Sequence, residues 1–109
     1  MTVSQKNIVP GVLLTGALAT LHTAPSGTRE RIINATITND TAGVIAATVH
    51  IIPNAGAAGS ANKRISARNI APGETYTCPE LIGRVLEPLD FIQGIGNGLS
   101  IDISAFTQI

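Results

Sequence analysis

Few residues in this chain have the types and spacing to do chemistry. Gly94, Gly96 and Gly98 form a GxGxG run. A glycine loop that cradles phosphate must lead into a helix whose N-terminus meets the anion. Here the run leads into Leu99-Ser-Ile-Asp-Ile-Ser-Ala-Phe106, which alternates apolar and polar as a strand does, so the run reads as a glycine hairpin. His22 and His50 are the only histidines, and no HxH or HExxH spacing supplies the further ligands a metal needs. Both read as interface or surface histidines. No GxSxG nucleophile elbow occurs. The acids Glu30, Asp40, Glu74, Glu80, Glu87, Asp90 and Asp102 are scattered, mostly at turns or strand edges. They read as solubility and turn residues, and a carboxylate pair assembled by folding is the one acid–base alternative left open. Cys78 stands alone, so no intrachain disulfide or multi-cysteine zinc site exists, and a small buried apolar residue is expected. Asn34-Ala-Thr36 and Asn39-Asp-Thr41 match glycosylation sequons that carry no meaning without secretion. These residues predict no catalytic, metal or cofactor site and no enzyme.

The composition narrows the partners. Charged residues make up 13% of the 109 and cancel to a net charge of zero, where an average domain carries about 25%. A nucleic-acid binder shows a basic excess to neutralise phosphates, and there is none. The 44% of hydrophobic residues and the sparse charge predict a surface covered by neighbours, hence a homo-oligomer or a docked subunit. Tyr76, Phe91 and Phe106 are the only aromatics, too few for stacking platforms. Small side chains bury little area each, so a partner is expected to supply part of the stability. The apolar stretch 8–21 has Lys6 ahead of it and an Ala17-Leu-Ala19 that imitates a cleavage site. Pro10, Gly11, Thr15 and Gly16 break it, so neither a signal peptide nor a membrane span is expected. The lone cysteine fits synthesis in a reducing cytoplasm.

The elements that would position these residues are strands. Arg29–Asn39 and Val44–Ile52 are rich in β-branched residues and flank the turn formers Asp40-Thr-Ala-Gly43, which predicts a central hairpin. Alternation assigns Ile33, Ala35, Ile37, Ile45, Ala47, Val49 and Ile51 to the core. The opposite face, with Ile32, Val44, Ala46 and Ile52, is too apolar to stay open. Further strands are expected at Val12–Leu14, Ala17–Thr23, Lys63–Ile70, Thr75–Cys78, Phe91–Gln93 and Leu99–Phe106. The small-residue loop 54–62 should be mobile or lie against a partner. Pro79 at a first helical position, Glu80 in the first turn and the apolar set Leu81, Ile82, Val85 and Leu86 predict one short helix at about 79–85. The sum is an all-β antiparallel sandwich or jelly roll over residues 11–109, preceded by an extended N-terminal arm at 1–10. Arg29, Arg31, Lys63, Arg64 and Arg68 hold five of the seven basic groups. If their strands lie close they form a basic patch for docking on an acidic protein surface; otherwise they guard a solvated edge.

One set of segments resembles a known family. It runs Leu21-His-Thr-Ala-Pro-Ser-Gly-Thr-Arg29, Ile37-Thr-Asn-Asp-Thr41, Val49-His-Ile-Ile-Pro53, Ile65-Ser-Ala-Arg68, Ala71-Pro-Gly-Glu-Thr-Tyr76, Pro79-Glu-Leu81 and Leu86-Glu-Pro-Leu-Asp-Phe-Ile92. Over roughly residues 20–106 the chain resembles small structural proteins of tailed-bacteriophage virions. Leu89-Asp90 stands where that pattern has Gly-Asp. The resemblance implies a β-sandwich or jelly roll made in the bacterial host cytoplasm and carried on the virion. It implies either a capsid decoration protein, bound as a trimer or dimer to the major capsid protein, or a tail, collar or fibre component. It supplies no catalytic residues.

Overall fold

A computed structural model describes residues 3–109. Nine strands form two antiparallel sheets: β1 (Val3–Leu13), β2 (Ala19–Thr23), β3 (Arg29–Asn39), β4 (Ile45–Ile52), β5 (Lys63–Ile70), β6 (Thr75–Thr77), β7 (Val85–Leu86), β8 (Phe91–Ile95) and β9 (Leu99–Gln108). One sheet has the order β1-β9-β3-β6, with β7 also on β3; the other has β2-β8-β4-β5. Successive strands therefore alternate between sheets almost throughout, and the two orders together are those of a jelly roll. The expected all-β sandwich is this fold.

The central hairpin does not form. β3 pairs with β9, β6 and β7, while β4 pairs with β5 and β8 in the other sheet. The turn formers at 40–43 build an arch that carries the chain across the core. Asn39, fully buried, is the clasp. Its Nδ2 donates to the carbonyls of Gly43 and Ile70, both at 2.8 Å, and its Oδ1 accepts from Thr41 N at 2.9 Å and Thr41 Oγ1 at 2.6 Å. Alternation looks the same whether two strands pair or stack, because both bury every second residue. The glycine run 94–98 is likewise an arch and not a hairpin, since β8 and β9 lie in different sheets. Gly98 has φ +93°, and a Cβ on Gly96 would stand 2.7 Å from Leu99 Cδ1.

Bulges reset the phase of three strands. Between Ile32 and Asn34 the β3–β9 register slips by one residue, so Glu30 and Ile32 point inward before it and Ala35, Ile37 and Asn39 after it. Ile32 is thus core, and Ile33 is half-buried on the outer face. A bulge in β5, where Ala67 has φ +47°, turns both Ile65 and Ile70 inward. A bulge at Asn7/Val9 lets β1 bury both Ile8 and Val9. A period-2 reading cannot carry a phase through an extra residue. The boundary expected at residue 10 falls inside β1, which runs along β9 from Val3 to Leu13. Pro10 needs no ladder donor there because β1 is an edge strand.

No helix forms at 79–85. Only one α-helical, i to i−4, hydrogen bond appears, Ile82 N to Cys78 O at 3.3 Å. Gly83 then takes φ +89° and donates to Ile32 O at 2.7 Å. The ladder of β3 captures the chain before a second turn can nucleate, as the high cost of starting a short helix allows. The turn 87–90 keeps the shape that Gly-Asp would give, since Leu89 sits at φ +70°.

The core is aliphatic: Ile32, Ile37, Ile65, Ile70, Leu81, Leu86, Ile92, Leu99, Ile101 and Ile103 are essentially sealed from water. Each contributes roughly 1.5–3 kcal/mol by burial. Besides the Asn39–Ile70 bond, two side-chain contacts tie the sheets together. Glu30 is 1% exposed, and its Oε1 lies 2.6 Å from His22 Nε2 on β2. Arg68 on β5 lies 4.0 Å over the Tyr76 ring on β6, closing the opposite flank.

Candidate protein-docking surface

The outer face of the β1-β9-β3 sheet carries an apolar cluster that none of the described residues covers. Register builds it. Phe106 on β9 stands opposite Gln5 on β1 and Arg31 on β3, and Arg31 stands opposite Val85 on β7. One row on, Gln108 lies between Val3 and Arg29. Phe106 and Val85 are each 45% exposed and Val3 is 58% exposed. Together with Arg29, Arg31 and Gln108 they line a cleft of about 270 Å³. A second cleft of about 270 Å³ adjoins it, lined by Arg31, Ile32, Ile33, Ile82, Gly83 and Phe106. Arg31 and Phe106 belong to both.

The electrostatics of the rim are simple. Arg29 Nε donates to Glu87 Oε2 at 2.7 Å; both side chains are at least half exposed, so the pair adds little stability and mainly orients Arg29. Arg31 has no ion-pair partner among the described residues. An apolar floor with an unneutralised guanidinium suits a partner that brings an apolar side chain beside a carboxylate.

The five basic residues singled out from sequence do not form one patch. Arg29 and Arg31 flank the Phe106 cluster on β3. Lys63, Arg64 and Arg68 lie on β5 in the other sheet. Arg68 is spent on Tyr76, whose hydroxyl donates to Glu80 Oε1 at 2.9 Å and Oε2 at 2.8 Å. Arg64 buries its Nε without a partner, and Lys63 lines a separate cleft. Sequence reasoning missed Val3, Ile82, Val85 and Phe106 as a surface. The available signal was Phe106, an aromatic on the polar side of the Leu99–Phe106 alternation. Ile82 and Val85 have helical spacing with Leu81 and Leu86, which hides their place on this face.

Other reactive groups have structural employment. Glu30, expected from sequence as a solubility or turn residue, is buried against His22. Cys78 is fully buried, and that burial, with Glu80 close by, pushes its thiol up to about 12. Burial and the hydrogen bond to Glu80 also raise the Tyr76 hydroxyl. Among the described residues, no three His, Cys, Asp or Glu side chains gather as a metal site would require, and no helix is long and apolar enough to cross a membrane.

No protein-family model matches the chain, and no curated protein matches it. Solved structures do. A chain of the infectious bursal disease virus Gx strain is similar over 99% of this chain, with a TM-score of 0.56 and 15% identity. A chain of the T13 particle of the same virus is similar over 99% of it, with a TM-score of 0.53 and 11% identity. This chain spans about a third of each of those chains, 33% and 31%. At such identities the likeness is one of fold, and the fold it shows is the two-sheet β architecture described above.

Proposed function

We propose that the chain is a non-enzymatic structural protein of a bacteriophage virion, a capsid decoration protein that binds the major capsid protein and stabilises the shell. The observation that carries this reading is the exposed apolar cluster around Phe106, rimmed by Arg29 and Arg31 on one sheet of the jelly roll. A small domain exposes such a cluster where a partner covers it. The likeness in fold to chains of a virus particle supports a virion role, as does the sequence resemblance to phage structural proteins; neither fixes the partner, because one fold hosts many functions. Subunits would sit as trimers or dimers on the capsid surface, after synthesis in the host cytoplasm. Stabilisation follows by mass action: a protein that binds only the assembled shell shifts the equilibrium away from its failure.

The test compares particles with and without this chain. Particles lacking it should rupture at lower temperature, and adding the purified protein back should restore resilience. Equal resilience in both preparations would remove the decoration reading. Immunogold label confined to the tail would favour a tail, collar or fibre module instead.

A further inference from the structure

The opposite sheet holds a second built feature, independent of the docking surface. Loop 53–62 is neither free nor shapeless. Gly56 N donates to Pro53 O at 2.8 Å, and Gly56 sits so close over Ile52 that a Cβ would come 3.2 Å from its Cγ2. Asn62 then staples the loop to β4. Its Nδ2 donates to Ala57 O at 2.8 Å, and its Oδ1 accepts from Gly59 N at 3.1 Å. Those two bonds fix which end of the amide is oxygen. The contact of 2.7 Å between that oxygen and His50 Nδ1 therefore requires Nδ1 to carry the proton. His50 is 5% exposed, and its other nitrogen, Nε2, has no hydrogen-bond partner among the described residues. In the neutral ring with that tautomer Nε2 is an acceptor, and His50 lines a cleft of about 370 Å³ between the loop and the outer face of β4 and β8.

The rest of that lining is complementary. Thr48 Oγ1 already accepts from Ala67 N at 3.0 Å, so its own proton is free to donate. Ser60 adds a hydroxyl and Lys63 an ammonium, and no carboxylate lines the cleft. A neutral imidazole acceptor wants a hydroxyl donor, whereas an ammonium beside two hydroxyls wants a carboxylate. We propose that this cleft binds a hydroxyl-bearing carboxylate, the chemistry of an acidic sugar, with its hydroxyl on His50 Nε2 and its carboxylate on Lys63 and Ser60. Charge and hydrogen bonds replace the aromatic stacking that the chain lacks. The loop is built from Gly, Ala and Ser because its backbone must lie close to the sheet while its side chains leave the cleft open.

The test is calorimetric titration of the whole chain with methyl β-D-glucuronide, which mimics a terminal glycan residue, and with free D-glucuronate. Acetate and methyl β-D-glucoside serve as half-ligands. Both glucuronates should bind at least about tenfold more tightly than either half-ligand. Lys63→Met, at an exposed position, should lose that binding. Ser60→Ala should weaken it by a factor of about five. Tight binding of free glucuronate alone would mark a metabolite site of the same chemistry; tight binding of the glycoside as well marks a glycan site. Acetate binding as well as the glucuronates, or an unchanged affinity in Lys63→Met, would overturn the proposal.

Discussion

Replacing Asn39 by alanine tests whether the arch at 40–43 is held by one buried amide. Asn39 is fully buried and makes four side-chain hydrogen bonds, three within the arch and one to the Ile70 carbonyl at the end of β5. Bonds whose partners stay reachable by water cost little to lose, and the turn atoms of Thr41 and Gly43 are of that kind. The bond to Ile70 lies inside the protein and joins two strands, so its loss counts more. At about 1 kcal/mol per net bond, less in the turn and more in the interior, Asn39→Ala should cost about 2–4 kcal/mol. That is a large share of the stability of a domain this size and corresponds to a fall in Tm on the order of 10–25 °C. Asn39→Asp should cost more, because a carboxylate oxygen would then face the two carbonyls that Nδ2 now serves. Urea denaturation of the two variants beside the parent measures both values. A loss below about 1 kcal/mol in Asn39→Ala, or an aspartate milder than the alanine, would refute the clasp.

Three further outcomes follow from the buried and strained groups. His22→Ala strands the Glu30 carboxylate in the interior and should cost about 3 kcal/mol, whereas Glu30→Gln keeps a hydrogen bond and should cost about 1; denaturation curves showing the reverse order would contradict the strut between sheets. Leu89 holds φ +70° and is 40% exposed, so Leu89→Gly should relieve strain and raise stability by up to about 1 kcal/mol once the greater freedom of glycine in the unfolded chain is counted; a clear loss on thermal melting would mean the side chain packs usefully. Cys78 should resist a thiol reagent at pH 8 in the folded protein and react at once in denaturant, and its raised pKa sets a direction for stability. The contribution is intact below the unfolded value of 9.0 and is lost as pH rises through about 12, so Cys78→Ala should flatten the alkaline limb of a stability-versus-pH curve.

What the sequence revealed was composition and periodicity; what it concealed was connectivity. Leu99–Phe106 shows its inward and outward sets plainly, because no bulge interrupts β9 on its inner face. The same reading fails on β3, where the irregularity at Ile32/Asn34 exchanges Ile33 for Ile32 in the core. The turn formers at 40–43 were visible, but whether they fold a strand back on itself or carry it to another sheet depends on Asn39 reaching Ile70, 31 residues away. The helix expected at 79–85 had a proper start, and only β3 competing for Gly83 N–H stopped it. The docking surface was half legible: Arg29 and Arg31 stood out as charges, while Val3, Ile82 and Val85 became a surface only when β1, β9, β3 and β7 were laid side by side.

Whether the Phe106 face docks on a virion shell, as proposed, can be read from a cryo-electron-microscopy reconstruction of the particle. One copy of the jelly roll is expected per equivalent position on the capsid exterior, with Phe106, Val85 and Arg31 buried against the major capsid protein. A particle without the chain, or one in which that face points to solvent, would contradict it.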